Sequence, residues 1–228
     1  VTLLLRSIKV IIYQNLSESN MNQKWDERYK EPGFAYGKDP NRFFKEWLQK
    51  FEPGSLLMPA DGEGRNGVFA AGLGWDVTSF DISSEGRSKA LMLAREHGVR
   101  LDYRVGDLEE LDFEGESFDA IGLVYAHFSA DKKSGFHRKL DACLRPGGLM
   151  ILEAFSKKHL SFNALDPKAG GPKDLGMLYS EEEIAVDFKN YELLLLREEE
   201  VRLHEGKYHD GKSAVIRFVG RKKTLPEQ

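Results

Sequence analysis

The sequence predicts an α/β protein: a parallel β-sheet with helices on both faces, ending in an antiparallel pair of strands. Three observations predict it. Short apolar runs alternate with amphipathic stretches between residues 55 and 154. Glycine- or proline-containing turns separate them at the spacing of strand–helix units. Beyond residue 190, two strand-like runs flank Asp210-Gly211, a hairpin signal, where another strand–helix unit would otherwise stand.

Ser55 to Met58 is apolar, stops at Pro59 and reads as the first strand. Asn66 to Leu73 has Val68, Phe69 and Leu73 on one side and reads as a helix, stopped by Gly74. Asp76 to Phe80 is a second strand, ending at Asp81. Ser84 is placed to cap a helix that runs to about His97, with Ala90, Leu91 and Ala94 inward. Leu101 to Val105 and Phe118 to Val124 read as the third and fourth strands, and Phe136 to Leu144 as a helix. Arg145-Pro146-Gly147-Gly148 ends that helix before a fifth strand, Leu149 to Ala154. Residues 156–180 show no strong period and read as a lid or substrate loop. Ser180-Glu181-Glu182-Glu183 is a capping box for a short helix. Tyr191 to Leu203 and Ser213 to Arg221 are the closing strands.

At 228 residues there is room for one α/β domain or two small ones. The hydrophobic share of 41% permits a real core, and the net charge of -4 gives no reason to expect nucleic acid. Cys143 is the only cysteine, so no internal disulfide can form, which fits a reducing compartment. In residues 1–20, Arg6 and Lys9 interrupt the apolar runs, unlike a secretory or membrane-spanning segment. They read as a flexible extension, and residues 21–228 as a single domain of a soluble cytoplasmic protein. The histidines and Cys143 show no metal-ligand spacing.

The loop after the first strand reads Ala60-Asp61-Gly62-Glu63-Gly64-Arg65-Asn66-Gly67. Gly62 to Gly67 spells G-x-G-x-x-G, a dinucleotide fingerprint, and Asp81 lies downstream where an acid can hold a ribose. That pattern admits an NAD-linked oxidoreductase. Tyr208 and Lys212 form Y-x-x-x-K, but Asp210-Gly211 between them demands a turn, not a helix. S-adenosylmethionine is the alternative cofactor. Gly62 and Gly64 allow close backbone approach. Asp81 can accept from both ribose hydroxyls, and Asp107, after Gly106, is placed to accept from the adenine amino group.

Several further segments carry a family resemblance: WDERY at Trp25 to Tyr29, YGKDPN at Tyr36 to Asn41, DGEGRN at Asp61 to Asn66, WDVTSFDIS at Trp75 to Ser83, SFDAI at Ser117 to Ile121, LRPGG at Leu144 to Gly148, GGPKDLGMLYS at Gly170 to Ser180 and EGKYHDG at Glu205 to Gly211. In this order the chain resembles the class I S-adenosylmethionine-dependent methyltransferases. Within them it is similar to the small tellurite-resistance-type enzymes, relatives of the thiopurine methyltransferases. The resemblance implies a Rossmann-like seven-stranded sheet with its last strand antiparallel. It also implies in-line methyl transfer to a small molecule, a tellurite- or selenite-like oxyanion or a thiol, with S-adenosylhomocysteine as product.

The cofactor-contacting set expected on this basis is Ala60, Asp61, Gly62, Gly64, Arg65, Asp81, Ile82, Gly106, Asp107, Leu108, Val124 and Tyr125, covered by Tyr29 and Tyr36. His209, Tyr125 and His127 are the candidates beside the acceptor, with Phe128, Glu153 and Tyr208 as pocket neighbours. No metal, nucleic acid or membrane is expected, and a monomer is the default with a dimer as the alternative. One departure stands out. Met58 occupies the position near the end of the first strand where the family usually has an acid. That motivates a third reading, a fold that binds the cofactor without turnover.

Overall fold

The computed structural model describes residues 22–224, so the N-terminal extension falls outside the described residues. A helix over residues 22–30 (α1) and a second, Arg42–Leu48 (α2), precede the alternating core. That core runs β1 (Ser55–Pro59), α3 (Arg65–Gly72), β2 (Asp76–Asp81), α4 (Ser84–Glu96), β3 (Asp102–Val105), β4 (Phe118–Val124), α5 (Lys133–Cys143) and β5 (Leu144–Phe155). α6 (His159–Leu165), α7 (Glu181–Asp187), β6 (Tyr191–Glu205) and β7 (His209–Lys222) follow.

The seven strands lie in the order β3-β2-β1-β4-β5-β7-β6. β1 to β5 pair in parallel, whereas β7 runs antiparallel to both β5 and β6. This is the expected sheet with one reversed strand. The strand order turns between β1 and β4, which makes the crevice beyond their carboxyl ends the switch point where such sheets bind ligands.

Alternation of apolar side chains along the buried strands feeds two cores. Leu57 and Ile121 face one side, with Phe136 and Leu140 of α5 and Ile184 of α7. Leu56 and Met58 face the other, with Phe43, Phe44 and Leu48 of α2 and Ala70 of α3. Both faces of the sheet are thus covered, as its near-continuous apolar strands require.

Several boundaries differ from the sequence reading. Ser83, not Ser84, caps α4, its hydroxyl accepting from the Gly86 amide at 3.1 Å. α5 starts at Lys133, and β5 starts at Leu144, before the Pro-Gly-Gly turn expected to precede it. The hairpin signal also misleads. Asp210 and Gly211 pair with His204 and Leu203 inside the ladder, and the turn is Gly206-Lys207-Tyr208. Gly206 has φ 70°, and a Cβ there would strike the backbone of Ala35 to Gly37. The Lys207 amide donates to the Ala35 carbonyl at 2.9 Å. Contact with that N-terminal segment therefore goes with the turn at Gly206, while the Asp210 side chain pairs with His204 at 2.8 Å.

Residues 156–180 are more regular than their pattern suggests. They hold α6 and two single-turn helices, with Ala169, Leu178 and Tyr179 buried. The capping box at Ser180 and Glu183 is present as expected.

Candidate active site

Of the three non-glycine residues with positive φ among the described residues, two, Ala60 at 53° and Tyr125 at 53°, follow β1 and β4 directly. Left-handed backbone at non-glycine residues costs about 1–3 kcal/mol and clusters where a site is built. Both residues flank the switch point.

The glycine loop is a tight junction. Gly62 and Gly64 have φ of 55° and 79°, and Gly64 caps α3. The carboxylate of Asp81, at the end of β2, accepts from the Gly62 amide at 3.0 Å and from the Ser83 amide at 2.9 Å. Tyr103 donates its hydroxyl to the Gly62 carbonyl at 2.5 Å. A Cβ on Gly62 would lie 2.5 Å from the Tyr29 hydroxyl, so this phenol of α1 covers the loop. Burial drives the Asp81 carboxyl up to about 6 against the pull of its amide donors.

Asp61 points elsewhere. Its Oδ2 accepts from the Ser79 hydroxyl at 2.8 Å and the Gly67 amide at 3.2 Å, while Oδ1 is buried without a hydrogen-bond partner. Burial raises this carboxyl to about 7. It braces the loop from beneath, between β2 and α3. Asp107 is half-buried and accepts the Glu109 amide at 3.1 Å, an Asx turn after β3. The Gly106 amide donates to the Asp81 carbonyl at 3.0 Å, which ties the two strand ends together. The Ile82 amide supports the Asp81 carboxylate, and Leu108 and Val124 are core residues.

α1 and the segment after it form a strap across these ends. Asp26 accepts from the Ser83 hydroxyl at 2.5 Å and the Glu85 amide at 3.3 Å, beside the α4 N-terminus. Arg28 donates to the Tyr36 hydroxyl at 2.7 Å, with its guanidinium 4.4 Å from the Tyr208 ring centroid. Glu31 accepts from the Tyr208 hydroxyl at 2.7 Å and pairs with Lys207, which joins the strap to the β6–β7 turn.

Beyond the loop lies an aromatic box around His209. Its ring centroid is 4.5 Å from that of Tyr36, 4.5 Å from Tyr125 and 5.0 Å from Phe155. Behind the box runs a buried polar network that the sequence reading only partly anticipated. Glu153 accepts from Asn41 Nδ2 at 2.6 Å, the Tyr125 hydroxyl at 2.9 Å and Arg217 Nε at 2.6 Å. Arg65 is locked by Glu205 at 2.7 Å and by the carbonyls of Tyr36 and Asp39 at 3.3 Å, a loop-fixing role.

His127 is placed differently from a free base. Nδ1 lies 2.9 Å from the Met177 carbonyl, and Nε2 accepts the Phe155 amide at 3.3 Å. Both nitrogens are engaged by backbone, and burial lowers its pKa to about 3. Phe128 packs edge-on against Phe136 and belongs to the core margin.

Asp26, Asn41, Tyr103 and Glu205 were missed as site-forming residues. The signal for Glu205 lay in its spacing: four residues before His209 and joined by a glycine-led turn, it becomes the cross-strand partner of His209.

The sheet order and the glycine junction give a Rossmann-like fold with one reversed strand. Residues 57–148 match the family model described as "Methyltransferase domain". A ubiquinone biosynthesis O-methyltransferase of Methylocella silvestris is 33% identical over 92 residues, which is 40% of this chain and 36% of that protein. The chain thus spans about a third of that relative's length. The fold is shared with a SAM-dependent methyltransferase from Methanosarcina mazei: TM-score 0.64, 19% identity, 82% of this chain and 100% of the other. TehB from Haemophilus influenzae shares it too, at TM-score 0.65 and 17% identity over 89% of this chain and 67% of the other. The Y-x-x-x-K of the oxidoreductase reading has no helix to sit on, since Tyr208 is in the turn and Lys212 in β7.

Proposed function

We propose that this chain transfers a methyl group from S-adenosylmethionine to a small-molecule acceptor. The observation that carries this reading is the buried Asp81 carboxylate set against the Gly62 amide at the switch point. Each carboxylate oxygen can accept more than one hydrogen bond, so Asp81 keeps capacity for a ribose diol beside its amide donors. Gly62 and Gly64 supply the close backbone approach. Asp107, with the Leu108 backbone next to it, is positioned after β3 for the adenine edge. Tyr29 and Tyr36 of the strap close the site and exclude water.

When bound, the cofactor supplies the electrophilic methyl carbon and the positive sulfonium. The chain's task is then alignment, and the box of Tyr36, Tyr125, Phe155 and His209 provides the acceptor side. Aromatic faces beside a sulfonium contribute about 0.5–2 kcal/mol. The resemblance to tellurite-resistance-type enzymes supports an oxyanion or a thiol as acceptor, and the partial match to an O-methyltransferase supports a hydroxyl. We further propose that it acts as a soluble, cytoplasmic monomer.

Titration calorimetry with S-adenosylhomocysteine tests the reading. Binding with a one-to-one stoichiometry is expected, and a folded sample that gives no binding sinks it. NADH displacing S-adenosylhomocysteine would instead favour the oxidoreductase reading. A second reading, cofactor binding without turnover, draws on Met58, whose side chain is fully buried in the core and leaves no acid at that strand end. Methyl transfer to any acceptor in a panel of thiols, phenols, selenite and tellurite eliminates it.

A further inference from the structure

The pair Glu205–His209 stands apart from the loop that would hold the cofactor, and its geometry bears on the acceptor. The two residues close the β6–β7 hairpin as its last cross-strand pair. His209 is 5% exposed, and its Nδ1 is buried without a hydrogen-bond partner. Glu205 Oε2 lies 3.6 Å from that nitrogen, just beyond a hydrogen bond. Catalytic hydrogen bonds are often long before substrate binds and tighten in the complex. Arg65 Nη2 and Asn41 Nδ2 fix the Glu205 carboxylate at 2.7 and 3.0 Å, so its position is set from two sides. Arg65 begins α3 directly after Gly64, so one side chain links the glycine loop to this pair.

The surroundings decide which chemistry the pair can serve. The groups facing His209 are Glu205 of β6, Arg65 of α3, Tyr36 of the strap, Tyr125 after β4, and His159 of α6 and His127 farther off. The two guanidiniums bonded to the carboxylates behind the box are already paired, Arg65 with Glu205 and Arg217 with Glu153 and Glu199, while Arg28 on the strap side donates to the Tyr36 hydroxyl and lies over the Tyr208 ring. An anionic acceptor beside His209 would therefore meet, on the Glu205 and Glu153 side, two buried carboxylates whose cations are engaged, a costly arrangement. Burial also keeps the imidazole neutral, with a pKa lowered to about 4, so its base form is populated at neutral pH.

We propose that Glu205 is a positioning residue that holds the His209 proton on Nδ1, leaving Nε2 to accept a proton from the methyl acceptor, so that the site takes a protic nucleophile, a thiol or a phenolic hydroxyl, in preference to an oxyanion. This rests on the methyltransferase reading above. In the step, the acceptor's sulfur or oxygen forms a bond to the methyl carbon as the carbon–sulfonium bond breaks. That bond pair stays on the cofactor sulfur as it becomes a neutral thioether, and the acceptor's proton passes to Nε2 and then to water.

The test combines a spectroscopic and a kinetic readout. Long-range proton–nitrogen NMR on histidine-labelled wild-type protein, with His209→Gln for assignment, should show the Nδ1–H tautomer. Glu205→Gln should shift that tautomer ratio. With S-adenosylmethionine saturating, Glu205→Gln should lower kcat for 2-mercaptoethanol or catechol by about 10- to 100-fold, the loss of one charge-assisted hydrogen bond, with KM changed less than about threefold. The two probes separate thiol from phenol. Selenite should be a poor acceptor for wild type. An Nε2–H tautomer in the wild type overturns the proposal, and does so whether or not the variant folds. So does a Glu205→Gln protein that binds S-adenosylhomocysteine and turns over with unchanged kcat, or selenite outperforming both protic probes. Absent S-adenosylhomocysteine binding by wild type would instead remove the underlying methyltransferase reading.

Discussion

Asp81, at the end of β2, accepts a hydrogen bond from the Gly62 amide of the loop after β1, carboxylate to amide, at 3.0 Å. The bond holds the glycine loop in register with the strand next to it, and it aims a buried acid at the space above the loop. Replacing Asp81 by Ala removes a charge-assisted acceptor, a type of bond that contributes about 1.5–3 kcal/mol. S-adenosylhomocysteine affinity should fall about 10- to 100-fold, and Asp81→Asn should lose less because one acceptor oxygen remains. Calorimetry on both variants checks this. An affinity unchanged in Asp81→Ala would remove Asp81 from the ribose role.

Gly64 is where the loop meets α4. A Cβ there would run into the side chain and Cα of Ala90, at a φ of 79°. Gly98 is also left-handed, at 67°, but a Cβ there meets nothing within 4 Å. Gly98→Ala should therefore cost only backbone strain, about 1 kcal/mol. Gly64→Ala should add overpacking against α4 and reach about 2–4 kcal/mol. Urea denaturation gives both values, and equal losses would mean that the helix contact contributes nothing.

The buried Asp61 carboxyl makes a pH-dependent contribution with an unusual sign. Its folded-state pKa is raised from 3.8 to about 7, so between those values the folded state holds a proton that the unfolded state has lost. Stability from this group is complete below about pH 4 and is lost as pH rises through 7. Asp61→Asn keeps an oxygen for Ser79 and Gly67 but cannot ionise. Relative to wild type, it should gain stability on the order of 2 kcal/mol on going from pH 5 to pH 8. Buried His127 and His209 act oppositely below pH 6.5, since their folded-state pKa values are lowered. To first order that effect cancels in the difference between the two proteins. Thermal melts at five pH values would show it, and parallel curves would mean that Asp61 is not titrating in this range.

The parts of the molecule legible in the sequence are those governed by local rules. Apolar period and turn residues placed β1 to β4 and α3 to α5 within a few residues and found β5 without its first five, because burial on both faces leaves the central strands few alternatives. The loop glycines, Asp81 and the Ser180 capping box follow from backbone geometry that a short stretch can reveal. What stayed hidden depends on chain segments far apart in sequence. Asn41 meets Glu153 and Glu205 across 112 and 164 positions, and Arg65 reaches Glu205 across 140. Placing the hairpin turn at Asp210-Gly211 moved Glu205 away from His209 and concealed the pair. A local turn preference was overruled there by the fit of Gly206 against the backbone of Ala35 to Gly37.

Met58 raises the question of whether the missing acid at the end of β1 is a defect or a different design. Its side chain is 1% exposed and packs in the cluster of Phe44, Leu56 and Val124, with its sulfur against Gly122. It faces a core lined by α2 and α3. An aspartate at this position would be desolvated, which costs several kcal/mol or forces the acid to protonate. Met58→Leu, by contrast, conserves volume and should cost less than about 1.5 kcal/mol. Met58→Asp should thus lower the unfolding midpoint sharply without tightening S-adenosylhomocysteine binding, because the side chain starts on the core side of the strand. Denaturation and calorimetry on the two variants decide the matter. A Met58→Asp protein that folds normally and binds S-adenosylhomocysteine more tightly would show that the strand end can present an acid to the site, and that this chain has lost one.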